Sequence, residues 1–252
     1  MRIERILESR TLEKKNNLYK DFRNKIINSF YLERKIMMMR FGKTEQYQSR
    51  MQHIVFLVSC LESFLEELFK QAFENKLITL DKIYSEGIIK KYKIELKEIG
   101  IINKNKIKIS EILADEISFQ NIKNIFFLGD AVKIVQHFNT LSPPKEKFSL
   151  PKIDFKPLNS RKVILPKKEK LLTKHILDNF GLNHMLPKTE DSFISMISQI
   201  RLMIQLRHKI VHKAKLVKIN EWESLTYTLA VSQFAFFIYE SYKIELSENK
   251  NP

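Results

Sequence analysis

The chain contains little cysteine, glycine and proline for its length. Its 252 residues include one cysteine, five glycines and seven prolines. The single thiol, Cys60, excludes an internal disulfide and a cysteine-rich zinc site, and it favours a reducing cytoplasm. So few glycines are not typical of a turn-rich β-sandwich or of an enzyme whose glycine loops bind nucleotides. The composition instead favours long helices and predicts an all-α fold.

Long apolar runs are absent as well. The longest ones, residues 54–61 and 234–239, are far shorter than the ~20 residues that a membrane-spanning helix needs. The first five residues lead directly into charged side chains, without the apolar stretch of a secretory signal. We therefore expect a soluble, cytoplasmic protein that does not enter a membrane.

Acidic residues are few relative to basic ones. Lysine and arginine total 44, aspartate and glutamate total 29, and the formal net charge is +15. Such an excess of one sign attracts polyanions. A nucleic acid is the first expectation for the partner, and an anionic membrane surface is the second.

One helical domain is predicted for the whole chain, in segments that differ in composition. An N-terminal helical extension covers residues 1–42, and a first helical block follows at 45–140. A second helical block covers 171–246. A basic, proline-rich loop or arm at 141–170 separates the two blocks.

This arm holds five of the seven prolines and nine basic residues against three acidic ones, which leaves a charge of +6. Proline cannot continue a helix, and long loops without helices or strands are commonly functional. Arg161 and Lys162 of the arm are therefore candidate RNA contacts.

Apolar periodicity places the helices within the two blocks. The strongest pattern covers 45–76, where apolar side chains recur at three- and four-residue steps. Residues 119–139 predict a helix or a pair of helices, interrupted at Gly129 and Asp130. A further helix follows Pro187, and Asn220 with Glu223 is close to a capping box that opens the last helix.

The most informative string lies near the end of the helix after Pro187, at residues 201–212, and reads RLMIQLRHKIVH. Four residues separate Arg207 from His212, and the residue after Arg207 is polar. This string resembles the Arg-x(4–6)-His motif of the HEPN superfamily, many of whose members are ribonucleases. The helix around 57–69, which reads LVSCLESFLEELF, is similar to the first bundle helix of such proteins.

Together the resemblance covers about 45–76 and 188–245. It implies a HEPN-type four-helix bundle, here with additional N-terminal helices and the long basic arm. It further implies a metal-independent endoribonuclease without a cofactor, active as a homodimer that brings two motifs into one cleft. The expected products are a 2′,3′-cyclic phosphate and a 5′-hydroxyl. The biological role would be that of a toxin or an anti-phage effector, with an antitoxin or sensor protein encoded nearby.

Residue roles follow from the same resemblance. A metal-free ribonuclease needs a base for the 2′-hydroxyl proton, which suits the imidazole of His212. It also needs a donor for the charged phosphorane, which suits the planar guanidinium of Arg207. His208 is a candidate proton donor, and Glu62 is a candidate for orienting Arg207. The remaining candidate RNA contacts near the motif are Lys209, Lys213, Lys215 and Arg201.

Other interpretations of these residues stay open at this stage. Cations in the last turn of a helix are stabilised by its dipole without any catalytic role. His208 and His212 share a helix face, as in zinc sites, although no third ligand is evident. Arg201 and His208 also match the motif spacing. The chain could instead be a non-catalytic HEPN scaffold that binds RNA or a partner protein, or an interaction protein that docks through the arm.

Overall fold

A computed structural model describes residues 18–38, 42–88, 96–116, 122–134, 136–137, 190–213 and 216–249. Every regular element within these ranges is an α-helix, which confirms the all-α fold class. None of the described helices is long and apolar enough to cross a membrane. The arm at 141–170 and the first 17 residues lie outside the described ranges, so their predicted roles stay predictions.

The described helices are numbered here in chain order. They are α1 (Leu18–Met38), α2 (Lys43–Glu74), α3 (Leu80–Ser85), α4 (Leu96–Asn105), α5 (Ile109–Glu116), α6 (Ile122–Ala131), α7 (Glu190–Lys213) and α8 (Glu221–Glu248).

Helix α2 closely follows its prediction from periodicity. It begins at Lys43 and ends at Glu74, against the predicted 45–76. Ile54, Leu65 and Phe69 of the apolar stripe are fully buried, as the three- and four-residue steps require. The buried face is broader than that stripe, because Arg50 and His53 are buried as well.

The predicted interruption between two helical stretches is present, but it lies at 132–133 and not at Gly129 and Asp130, because α6 continues to Ala131 and helical residues resume at 134. A Cβ atom on Gly129 would lie 3.1 Å from Cγ2 of Ile134. This glycine therefore provides room for a packed side chain inside a helix. The chain turns two residues later, where Lys133 adopts a φ of 47°.

The chain divides into two compact units, and α1, α2 and α8 contribute residues to both. Unit 1 comprises residues 1–22, 62–134 and 238–252. In its described part, the ring of Tyr19 stacks on that of Tyr239 with centroids 5.5 Å apart. Lys108 Nζ and Ser110 Oγ both donate to Oε1 of Glu74, at 3.0 and 2.9 Å, which connects α2 to the beginning of α5.

Unit 2 comprises residues 23–61 and 135–237, and it contains the described part of the Arg/His motif. Part of its core is formed by Phe30 of α1 with Leu225 and Leu229 of α8, against which the half-buried Trp222 packs. Helix α8 is buried on two faces. Leu229 and Phe234 are about 140° apart on a regular helix, and both are buried.

The predicted capping box at the start of α8 is confirmed. The backbone N–H of Glu223 donates to Oδ1 of Asn220 at 2.9 Å. In return, the backbone N–H of Asn220 donates to the carboxylate of Glu223 at 2.7 Å. Two backbone donors at the helix start are thereby satisfied, which fixes the first residue of α8.

Candidate functional site

The Arg/His motif lies in the last two turns of α7, which continues to Lys213. His208 and His212 are exposed, whereas Arg207 is half-buried. Arg207 and His212 are five residues apart, so on a regular helix they point about 140° away from each other. Because α7 does not end before His212, the two side chains do not share a face of this helix.

His208 and His212 do share a face. Their imidazole centroids are 4.7 Å apart, with an angle of 43° between the ring planes. Residues four apart on a helix are neighbours on its surface, which explains this contact. Two exposed imidazoles thus lie side by side in the last two turns of α7.

A basic surface surrounds the two rings. Lys209 and Lys213 are both exposed on the same turns of α7. Lys218, which was not among the sequence candidates, is exposed in the connection between α7 and α8. At the carboxyl end of a helix such cations are favoured by the dipole, and they also provide attraction for phosphate groups.

The other residues predicted from the sequence as site residues differ from the two histidines in exposure or location. Arg201 is buried at 9 % exposure, and burial lowers the pKa of its guanidinium, so its location argues against a surface contact with RNA. Glu62 is half-buried and belongs to unit 1, whereas Arg207 belongs to unit 2. Lys215, Arg161 and Lys162 lie outside the described residues.

Sequence reasoning missed a group of buried polar side chains in unit 2, here called the polar core network. Its centre is Glu33 of α1, which is 3 % exposed. One carboxylate oxygen of Glu33 lies 3.7 Å from Nε of Arg50, and the other accepts a 2.8 Å hydrogen bond from Ser224. The members of the network are Ser29, Glu33, Arg50, His53, Ser224 and Thr228.

The hydrogen bonds of this network indicate which nitrogen of His53 carries a proton. The hydroxyl of Thr228 donates to the carbonyl oxygen of Ser224 at 2.8 Å, so it can only accept from His53 Nε2, also at 2.8 Å. Nδ1 of His53 lies 2.7 Å from the hydroxyl of Ser29, and it accepts from that hydroxyl when the ring is neutral. Burial lowers the pKa of His53 to about 4, so near neutral pH the ring is a neutral imidazole with its proton on Nε2.

The network also supports the segment that follows the motif. Nη1 of Arg50 donates to the carbonyl oxygen of Ile219 at 3.0 Å. The backbone N–H of Val217 points to the sulfur of Met51, at 3.4 Å. Both contacts hold the connection between α7 and α8 against α2. A buried donor in the network therefore fixes the segment that begins within a few residues of the exposed histidines.

The helical spacing of its residues could have predicted that this network is buried. In α1, Glu33 continues the series Phe22, Ile26 and Phe30, all of which are buried. In α2, His53 lies four residues before the buried Leu57. Polar residues that fall on a core stripe at helical spacing are expected to be buried with partners.

No protein-family model, curated protein or solved structure matches this chain. The geometry of α7 and of the polar core network is therefore the basis for the functional argument.

Proposed function

We propose that the chain is a metal-independent endoribonuclease of the HEPN type. The observation that carries the proposal is the end of α7, where His208 and His212 are exposed with ring centroids 4.7 Å apart between exposed lysines. Acid–base cleavage of RNA needs two proton-transfer groups close to a site that attracts phosphate. The sequence resemblance at residues 201–212 supports the same function.

In the proposed reaction His212 takes the proton of the 2′-hydroxyl while the 2′-oxygen attacks phosphorus. The bond from phosphorus to the 5′-oxygen breaks, and a protonated imidazole gives its proton to that oxygen. The products are a 2′,3′-cyclic phosphate and a 5′-hydroxyl. His208 is the candidate acid within the same chain, and the guanidinium of Arg207 would stabilise the charge on the phosphorane.

A homodimer would complete this site. Arg207 and His212 point about 140° apart on α7, so one helix does not direct both toward the same phosphate. In a homodimer, Arg207 of one copy can approach His212 of the other. An HEPN-type four-helix bundle in a cytoplasmic toxin or anti-phage effector, with an antitoxin or sensor protein as its partner, is part of the same proposal.

Cleavage in EDTA tests the chemistry. Wild-type protein should produce RNA fragments with cyclic-phosphate ends, and His212→Ala should abolish them while leaving the helical circular dichroism signal intact. Gln205→Ala is a matched control, because Gln205 is an exposed neighbour on α7 that has no proposed role. If the His212→Ala variant still cleaves RNA, the proposed mechanism is wrong.

A mixing experiment tests the dimeric site. Arg207→Ala and His212→Ala should each be inactive alone. In an equal mixture, half of the dimers would carry one composite site with both native residues, so about a quarter of the activity should return. If no activity returns although the subunits exchange, the composite site is wrong.

The second candidate function is an RNA-binding scaffold without catalysis. The exposed lysines beside the histidines favour it, because phosphate contacts alone give strong RNA binding. Salt-dependent binding without cyclic-phosphate products in EDTA would favour this scaffold over the nuclease.

A further inference from the structure

We propose that His208 and His212 form a binding site for a divalent transition-metal ion such as Zn²⁺, and that the ion inhibits RNA cleavage. The binding site is argued from the geometry of α7 alone. The inhibitory effect rests on the proposed function, because it requires that His212 acts as the base.

The geometry of the two rings suits chelation. Zn²⁺ binds imidazole nitrogen at about 2.0–2.1 Å, so two nitrogens on one tetrahedral ion lie roughly 3.3 Å apart. The imidazole centroids of His208 and His212 are 4.7 Å apart, which places the rings at the separation needed for nitrogens from both to reach one ion. Both residues lie on one continuous helix, so the helix already holds the two ligands together before the ion binds.

Exposure of the rings leaves the other coordination positions to water. His208 and His212 are both exposed, and imidazole is a preferred ligand of Zn²⁺, Ni²⁺ and Cu²⁺. Lys209 and Lys213 are also exposed on these turns, and their charges oppose a cation. The result is a site of moderate affinity that fills and empties with the free metal concentration.

Occupation of this site would remove the catalytic base. A base accepts a proton with the lone pair of a ring nitrogen, and a bound metal ion uses that same lone pair. Coordination of His212 therefore stops proton transfer from the 2′-hydroxyl without any movement of the helix. Removal of the ion by a chelator restores the free imidazole.

A histidine swap tests the binding site without reference to RNA. The variant H208Q/Q205H keeps two histidines on one helix face but places them seven residues apart, about 10.5 Å along the helix axis. One ion cannot span that distance. Calorimetric titration with Zn²⁺ should give one ion per chain for the wild type and affinity at least about tenfold weaker for the swap variant. His212→Gln should weaken binding to a similar degree.

Equal Zn²⁺ affinity in the wild type and the swap variant, with unchanged circular dichroism, would overturn the site.

Inhibition is tested separately, by adding Zn²⁺ to wild-type protein that cleaves RNA and then adding excess EDTA. Cleavage should stop and then return. If cleavage continues while the site is filled, the inhibitory role is wrong. If the metal-free protein never cleaves RNA, the proposed function and the inhibition fall together, while the titration still decides the binding site.

Discussion

His53 Nε2 donates to Oγ1 of Thr228 at 2.8 Å in unit 2, and His53 is only 3 % exposed. This bond places a ring proton on Nε2, because Thr228 donates its own proton to the carbonyl oxygen of Ser224. Burial lowers the pKa of His53 from 6.5 to about 4. In the unfolded chain the same ring gains a proton near its ordinary pKa.

The first prediction concerns stability against pH. Since the folded pKa of His53 is depressed, its contribution is complete above pH 6.5 and is lost as the pH falls toward 4. The free energy of unfolding should fall by about 3 kcal/mol across that window. Urea titrations can follow the fluorescence of Trp222, the single tryptophan, which packs against the core of unit 2.

Glu33 and Arg50 also face His53, and Glu33 Oε2 lies 3.8 Å from His53 Nε2. The informative quantity is therefore the difference between the wild type and His53→Gln, which should show a smaller decline. His208→Gln, which removes an exposed imidazole, should keep the wild-type decline. An identical pH profile for His53→Gln and the wild type would contradict the assignment.

The second prediction compares a buried with an exposed ion pair. Arg50 Nε and Glu33 Oε1 are 3.7 Å apart, with side chains 6 % and 3 % exposed. Glu33→Gln leaves a buried guanidinium with less compensating charge, and it should lower the free energy of unfolding by roughly 2–3 kcal/mol. The matched control is Glu240→Gln, since the side chains of Glu240 and its partner Lys243 are 25 % and 53 % exposed.

For that exposed pair the change should stay below about 0.5 kcal/mol. Urea denaturation of the two variants side by side measures the contrast. Equal effects at Glu33 and Glu240 would show that burial of the polar core network does not govern its contribution.

The third prediction uses two glycines in helices of unit 1. Gly100 lies in the middle of α4, and a Cβ atom there would meet nothing within 4 Å. Gly100→Ala should stabilise the protein by about 0.5–1 kcal/mol, because alanine restricts the unfolded chain and favours the helix. Gly129→Ala gains the same preference but crowds Ile134 at 3.1 Å. Gly129→Ala should therefore leave the melting temperature unchanged or lower it. Thermal melting of both variants should show that Gly100→Ala is the more stable one.

The fourth prediction concerns RNA binding. Lys209 and Lys213 are exposed beside the two histidines, so each can neutralise one phosphate. The double variant Lys209→Gln/Lys213→Gln should weaken RNA binding and reduce the slope of log affinity against log salt by roughly 1 to 2. Lys104→Gln, an exposed lysine of α4, is the control and should keep the wild-type slope. A double variant with the wild-type slope would exclude this surface as the RNA contact.

Local patterns predicted much of the helical structure. The bounds of α2 followed from apolar spacing, and the capping box at Asn220 followed from two side chains three residues apart. Both features depend on residues that are close in sequence. Gly129 was misjudged for the opposite reason, since its role depends on the packing of Ile134 and not on helix propensity.

For the candidate site, the motif residues were predictable from the sequence, whereas the pairing within the polar core network was not. The sequence predicted Arg207, His208 and His212 as site residues, and the four-residue spacing of the histidines correctly predicted that His208 and His212 share one face. The polar core network joins Glu33 to Ser224, which are 191 residues apart, and no local pattern reports such a partner. The HEPN resemblance and the function that it implies stay predictions.

The hydrogen bond from Arg50 to Ile219 joins residues separated by 169 positions in the chain. During synthesis, α2 is therefore complete long before its partner segment exists. Contacts of such sequence separation form late, because closing the intervening chain costs entropy before they can form. The connection after the exposed histidines consequently acquires its final position only after Ile219 has been synthesised, long after α2. Under the proposed function, the site would remain incomplete on nascent chains that have not yet reached this segment.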